Sequence, residues 1–143
     1  MTKSELATIV SRIGIFSAIN RGLFDQGNDG LPSEKTQKIT FAANTTINLS
    51  NGTIIEGVGS AGVSSNVSMS AIALENGYAT SFTITFTSIP TGFTLNFPQY
   101  FTWLNGEIAA EVDKGLYISV QLQKSSSGTM TAVGSWKVIE EVV

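Results

Sequence analysis

The chain has 143 residues, a net charge of −3 at pH 7 and a pI near 4.8. It has no Cys, which excludes a disulfide framework and a thiolate metal site, and no His, which removes the commonest general base and the commonest transition-metal ligand. An acidic balance is a poor surface for nucleic acid or anionic lipid, so neither partner is expected.

Charged residues make up 13% of the chain, about half the usual ~25%. Between Ile39 and Gly106 the only charges are Glu56 and Glu75. Ser and Thr fill about a quarter of the sequence, and 42% of residues are hydrophobic and patterned. A chain this size buries about 68–70% of its unfolded surface, enough for one real core. The expectation is an ordered, mainly β protein: a β-sandwich or jelly-roll-like domain over residues 36–143, preceded by a helix and linker over residues 1–35.

In chain order, Thr2 and Glu5 fit a capping box. Leu6, Ile9, Ile13, Phe16 and Leu23 then recur at spacings near three and four, which predicts a helix from about Ser4 to Ile19. Its apolar stripe either packs on its own domain or docks on another subunit or particle, and these five residues are the candidate anchor. Ser4, Glu5, Ser11, Arg12, Asn20 and Arg21 break the stripe, so no run has the length of a signal peptide. No stretch approaches the ~20 apolar residues of a membrane span, and a soluble cytosolic product is expected. Arg21 to Gln37, with its glycines, Asn28, Asp29 and Pro32, reads as a linker.

From Gln37 the pattern has period two. Lys38–Ala42, Thr45–Ser50, Ser65–Glu75, Thr80–Ser88, Phe93–Phe97, Leu116–Lys124 and Thr129–Glu141 alternate apolar with polar, as half-buried strands do. Asn51-Gly52 and Asn76-Gly77 are hairpin signals. Ile89–Gly92 is a turn, and Pro98 ends the strand before it. About eight to ten short strands suit a sandwich or jelly roll. No repeat of fixed period is visible. The strand faces away from the apolar side carry hydroxyls instead of charges. Such faces can hydrogen-bond across strands or between subunits without desolvating a charge, and an oligomer that buries both faces would look this way.

Candidate chemistry is sparse. Glu107, Glu111 and Asp113 cluster with Lys114 in a predicted loop, and no activating base stands near any Ser or Thr, so no catalytic residues are assigned. Asp25–Gly30 imitates a calcium loop but has Gly27 and Thr36 where ligands are needed, so no metal or other cofactor is expected. Four glycosylation sequons, at Asn44, Asn48, Asn51 and Asn66, read as a by-product of the Asn, Ser and Thr content. The aromatic group Asn96–Trp103, with Trp136, has two readings: Tyr100, Trp103 and Trp136 stack on a sugar, or they fill the core.

The stretch from Thr94 to Glu141 resembles the end of many tailed-phage fibre and receptor-binding proteins. Phe97-Pro98, Trp103, Asn105-Gly106, Lys114, Tyr117-Ile118-Ser119 and Trp136 match that pattern in order. The chain departs from it in the Gly115-Leu116 spacing after Lys114 and in lacking Ala-Pro after the Asn-Gly turn. The resemblance covers the last third of the chain. It implies a non-enzymatic virion structural protein, a homotrimeric head fibre or capsid decoration protein, held to capsid or other virion proteins through its N-terminus. Its β-domain would be exposed for host attachment, with host-surface glycan as one partner. The alternative is a tail-tip receptor-binding or carbohydrate-binding adhesion module.

Overall fold

The computed structural model describes residues 33–70 and 74–140. The predicted helix, its stripe of Leu6, Ile9, Ile13, Phe16 and Leu23, and the Asp25–Gly30 loop lie outside them. The described residues form nine strands: β1 (Thr36–Thr40), β2 (Asn44–Ile47), β3 (Ile54–Val58), β4 (Ser64–Met69), β5 (Ala79–Phe86), β6 (Thr94–Asn96), β7 (Phe101–Trp103), β8 (Gly115–Lys124) and β9 (Met130–Ile139), with one 3-10 turn at Leu49–Asn51. They belong to one unit, Lys35–Val143.

The protein is mainly β, with mixed sheets. The larger sheet has the order β1-β3-β5-β8-β9-β7 and the smaller β2-β4-β6. The first six strands alternate between the two, and every neighbour pair among them is parallel. The chain thus winds through three coils, laying one strand in each sheet per turn. In the larger sheet the register advances 18 residues, from Thr36 to Ile54, then 29, from Ile54 to Thr83. In the smaller sheet it advances 22, from Asn44 to Asn66, then 30, from Ser64 to Thr94. These unequal turns explain why no fixed repeat shows in the sequence. Antiparallel pairing, the rule in sandwiches and jelly rolls, is confined to β5–β8 and the β8–β9 hairpin.

Two turn assignments change accordingly. Asn51-Gly52 does not make a hairpin. Asn48 caps the 3-10 turn by accepting from Ser50 N at 3.0 Å, and Gly52 N closes it on Leu49 O at 3.1 Å. β2 and β3 then lie in different sheets. Asn76-Gly77 likewise turns the chain between sheets, with Gly77 at φ 83° donating to Lys124 O at 2.7 Å. Strand pairing is a tertiary outcome that local turn chemistry did not decide here.

The inner rows of the larger sheet follow the register. Ile39, Gly57, Phe86, Leu116 and Val138 form one row, and Gln37, Ile55, Ile84, Ile118 and Trp136 the next. Phe86 is wholly buried, with Phe41 and Phe93 on either side at ring-centroid distances of 5.3 and 5.6 Å. Gln37 is the polar member of its row, and its Nε2 donates to Asn48 O at 2.9 Å and Gly52 O at 2.7 Å. Ile47, Val67 and Leu49 from the smaller sheet and its 3-10 turn join the same core.

The uncharged outer face of the smaller sheet is a side-chain ladder. Asn44, Asn66 and Asn96 share one row across three strands. Asn96 Nδ2 donates to Ser64 Oγ at 2.9 Å and Asn66 Oδ1 at 3.3 Å, Thr94 Oγ1 to Ser64 Oγ at 3.1 Å, and Thr46 and Ser68 hydroxyls meet at 2.9 Å. Parallel in-register strands about 4.8 Å apart bring like polar groups within bonding distance.

Candidate functional site

The smaller sheet stops at β6, while the larger continues through β8, β9 and β7. β7 lies within the segment from Phe97 to Ala110, of which Phe97, Tyr100, Trp103, Ile108 and Ala110 pack against the core. Between β6 and this segment lies a groove of about 840 Å³, lined among others by Asn96, Phe97, Gln99, Trp103, Glu107 and Ile108.

Its aromatic wall is built from residues close in sequence. Phe97 meets Trp103 edge-on at 5.2 Å and Phe101 at 5.1 Å, and Phe101 lies 5.8 Å from Trp103. The indole is seated on Gly134, its register partner across the β7–β9 ladder. A Cβ at Gly134 would come within 2.5 Å of the ring, so the absent side chain makes the seat.

The opposite lip is held from β9. Asn105 Nδ2 donates to Trp136 O at 2.8 Å, Trp136 N donates to Asn105 Oδ1 at 3.3 Å, and Trp136 Nε1 donates to Gly106 O at 2.8 Å. Gly106, at φ 87°, supplies the left-handed backbone of this turn. The lip leads into Glu107 and Ile108.

Of the three aromatic residues proposed to stack on a ligand, only Trp103 lines the groove. Trp136 sits half-buried on the inner face of β9, and its indole N–H is committed to the lip. Tyr100 packs on Phe101 at 5.2 Å, and burial pushes its phenol above the ordinary value. Phe97, Gln99 and Glu107 belong to the groove, but sequence reading did not pick them out as ligand contacts. Their polar and aromatic types were visible; that they line one groove with Trp103 was not.

The acidic cluster divides. Lys114 Nζ bridges Glu111 at 3.4 Å and Glu140 at 3.1 Å. The hydrogen bond to Glu140, then that to Glu111, holds the ammonium above its usual pKa. Glu107 stands apart in the groove. Asp113 has φ 65°, and its N–H donates to Ile89 O at 2.8 Å. No group of three or more acidic side chains among the described residues is arranged to hold a metal ion, and no helix among them is long and apolar enough to cross a membrane.

Comparison with family models, curated proteins and solved structures found no match for this chain.

Proposed function

We propose that this chain is a non-catalytic structural protein of a tailed-phage virion, a head fibre or capsid decoration protein. It is held to the particle through residues 1–35 and displays the β-domain as a homotrimer. The observation that carries the reading is the convergence of the residues behind the fibre-like resemblance. Phe97, Trp103, Asn105, Gly106 and Trp136 are spread over forty positions of sequence, yet they are tied into one packed and hydrogen-bonded unit. A chance string of residues has no reason to close on itself.

The trimer forms through the outer face of the larger sheet. That face carries Ser81, Thr83, Thr85, Ser119, Gln121 and Ser135, and its only charges are Lys38, Glu56 and Lys137. Ile54, Tyr117 and Val133 are exposed on it at 38, 41 and 44%. Hydroxyls that find hydrogen-bond partners, and apolar groups, cost far less to bury than charges do.

Light scattering on the full chain tests the oligomer, and the expected mass is that of a trimer. Replacing Tyr117 and Val133 together by Glu should give a monomer with unchanged circular dichroism. A wild-type monomer at micromolar concentration would overturn the assembly. The anchor is tested separately by Ile13→Asp, which should abolish incorporation into particles; unchanged incorporation would remove it.

A further inference from the structure

The groove between β6 and the segment from Phe97 to Ala110 has the volume of a small-molecule site, which runs from about 300 to 1,000 Å³. Its chemistry narrows the ligand. None of its lining residues is Lys or Arg, and one is a carboxylate, Glu107. Phosphates, sulfates and acidic sugars would meet repulsion there with nothing to balance it. The lining is also not uniformly apolar: Gln99 and Glu107 bring an amide and the carboxylate to the same groove as Phe97, Trp103 and Ile108, and Thr94 and Asn96 border it from the edge strand.

An added peptide strand is the other occupant to weigh, since β6 is an edge. Thr94 N donates to Val63 O, on the β4 side, so alternation along the ladder turns only Leu95 of β6 toward the free edge. The edge is three residues long and is closed by Pro98, which has no N–H to offer. Short edges stopped by proline are how sheets discourage strand addition.

We infer that this groove is a binding site for a neutral saccharide. A pyranose ring offers apolar C–H faces to an aromatic wall and a belt of hydroxyls to polar groups around it. Phe97 and Trp103 supply the wall, and their mutual edge contact and the Gly134 seat fix it before any ligand arrives. Glu107 and Gln99 supply the belt. Both are exposed, and neither side chain carries a hydrogen bond to the described residues, so both are available to sugar hydroxyls. A carboxylate accepting sugar hydroxyls makes charge-assisted bonds, stronger than neutral ones. This inference does not rest on the virion or trimer reading, since the groove lies within one chain.

The test uses the unaltered full chain, in which Trp103 lines the groove and Trp136 holds its lip. Maltotriose, cellotriose and chitotriose are titrated to about 10 mM, a range that captures weak single-site binding, with 3′-sialyllactose as the anionic comparison. Tryptophan fluorescence and saturation-transfer NMR on the sugar protons are recorded on the same samples. At least one neutral trisaccharide should bind saturably, with sialyllactose weaker. Glu107→Gln and Gln99→Ala, both exposed and harmless to folding, should each weaken that binding by about tenfold, the scale of a lost hydrogen bond to a charged or well-placed partner. No saturable binding by any of the three neutral sugars overturns the proposal. So does binding that both variants leave unchanged, or tighter binding of sialyllactose.

Discussion

At Gly57 a single added methyl group would press directly on the side-chain packing of the coil. Gly57 faces inward on β3, and a Cβ there would stand 2.7 Å from Cε1, 2.8 Å from Cζ and 3.0 Å from Cδ1 of Phe86. Three atoms of one ring at that range mean the ring lies across the glycine. Phe86 has little room to retreat, because Phe41 and Phe93 flank it and it is wholly buried. The backbone of Gly57 is not in the left-handed region, so the conflict is one of space alone. Overpacking of this kind costs about 1–3 kcal/mol. The alanine recovers about 0.4–1 kcal/mol by restricting the unfolded chain. The net loss for Gly57→Ala is therefore about 1–2 kcal/mol, a fall in Tm of about 5–15 °C for a domain near this size. Thermal melting followed by circular dichroism measures it. The sharper check adds Phe86→Leu, which shrinks the ring that causes the clash. The double variant should be more stable than the sum of the two single losses predicts, by about 1 kcal/mol. A Tm that holds or rises in Gly57→Ala, or strict additivity in the double variant, would refute this packing account and with it the parallel register that places Gly57 beside Phe86.

Other expectations follow from the same contacts. Ser65 is fully buried and its Oγ has no hydrogen-bond partner among the described residues, so Ser65→Ala should stabilise by about 1 kcal/mol in chemical denaturation; a loss would mean the hydroxyl is paired. Trp136→Phe keeps an aromatic side chain, though a smaller one, and removes the bond to Gly106 O; it should cost at least about 1 kcal/mol while hydrogen exchange accelerates in the turn from Leu104 to Glu107. Gly52, at φ 150°, would place a Cβ 2.7 Å from Thr36 C and 2.8 Å from Lys35 O, both backbone, so Gly52→Ala should destabilise more than Gly57→Ala; the order of their melting temperatures decides. Tyr100 is raised above 10.0 by burial and Lys114 above 10.5 by its carboxylate partners. In both, the protonated form is favoured in the folded state, so their contributions are complete below the unfolded values and fade as pH rises through the folded ones. Melting between pH 9 and about 12 should therefore show a decline that Tyr100→Phe makes shallower; an unchanged slope would assign the decline elsewhere.

Strand identity was legible in the sequence, because the evidence for it is local. Phe82, Ile84 and Phe86 alternate with Ser81, Thr83 and Thr85 whatever the strand pairs with, and β1, β5, β6, β8 and β9 lie within two residues of the predicted segments. β7 was not expected. Phe101–Trp103 is three residues inside an aromatic cluster, too short for alternation to show. The acidic stretch after Gly106 was read as a loop, and among the described residues it carries only the isolated bridge of Val112 to Ile89.

Pairing was not legible. Asn51-Gly52 has the composition of a hairpin, but its neighbours Leu49 and Ile55 both reach the core only if β2 and β3 part into different sheets. The groove was hidden for a related reason. Trp103 and Trp136 look alike as exposed-or-buried aromatics in the sequence, and what separates them is Gly134 beneath one and Gly106 O beside the other. Alternation and composition act residue by residue, so the mainly β class, the low charge and the lack of histidine or cysteine chemistry could be read along the chain. The parallel coiling of the strands, the bonding of Asn and Thr side chains as a ladder, and the groove shared by Phe97, Trp103 and Glu107 arise from packing. Each of those depends on which strands become neighbours. That choice is made by how buried residues fit together across long separations, as the Phe86 ring does on Gly57.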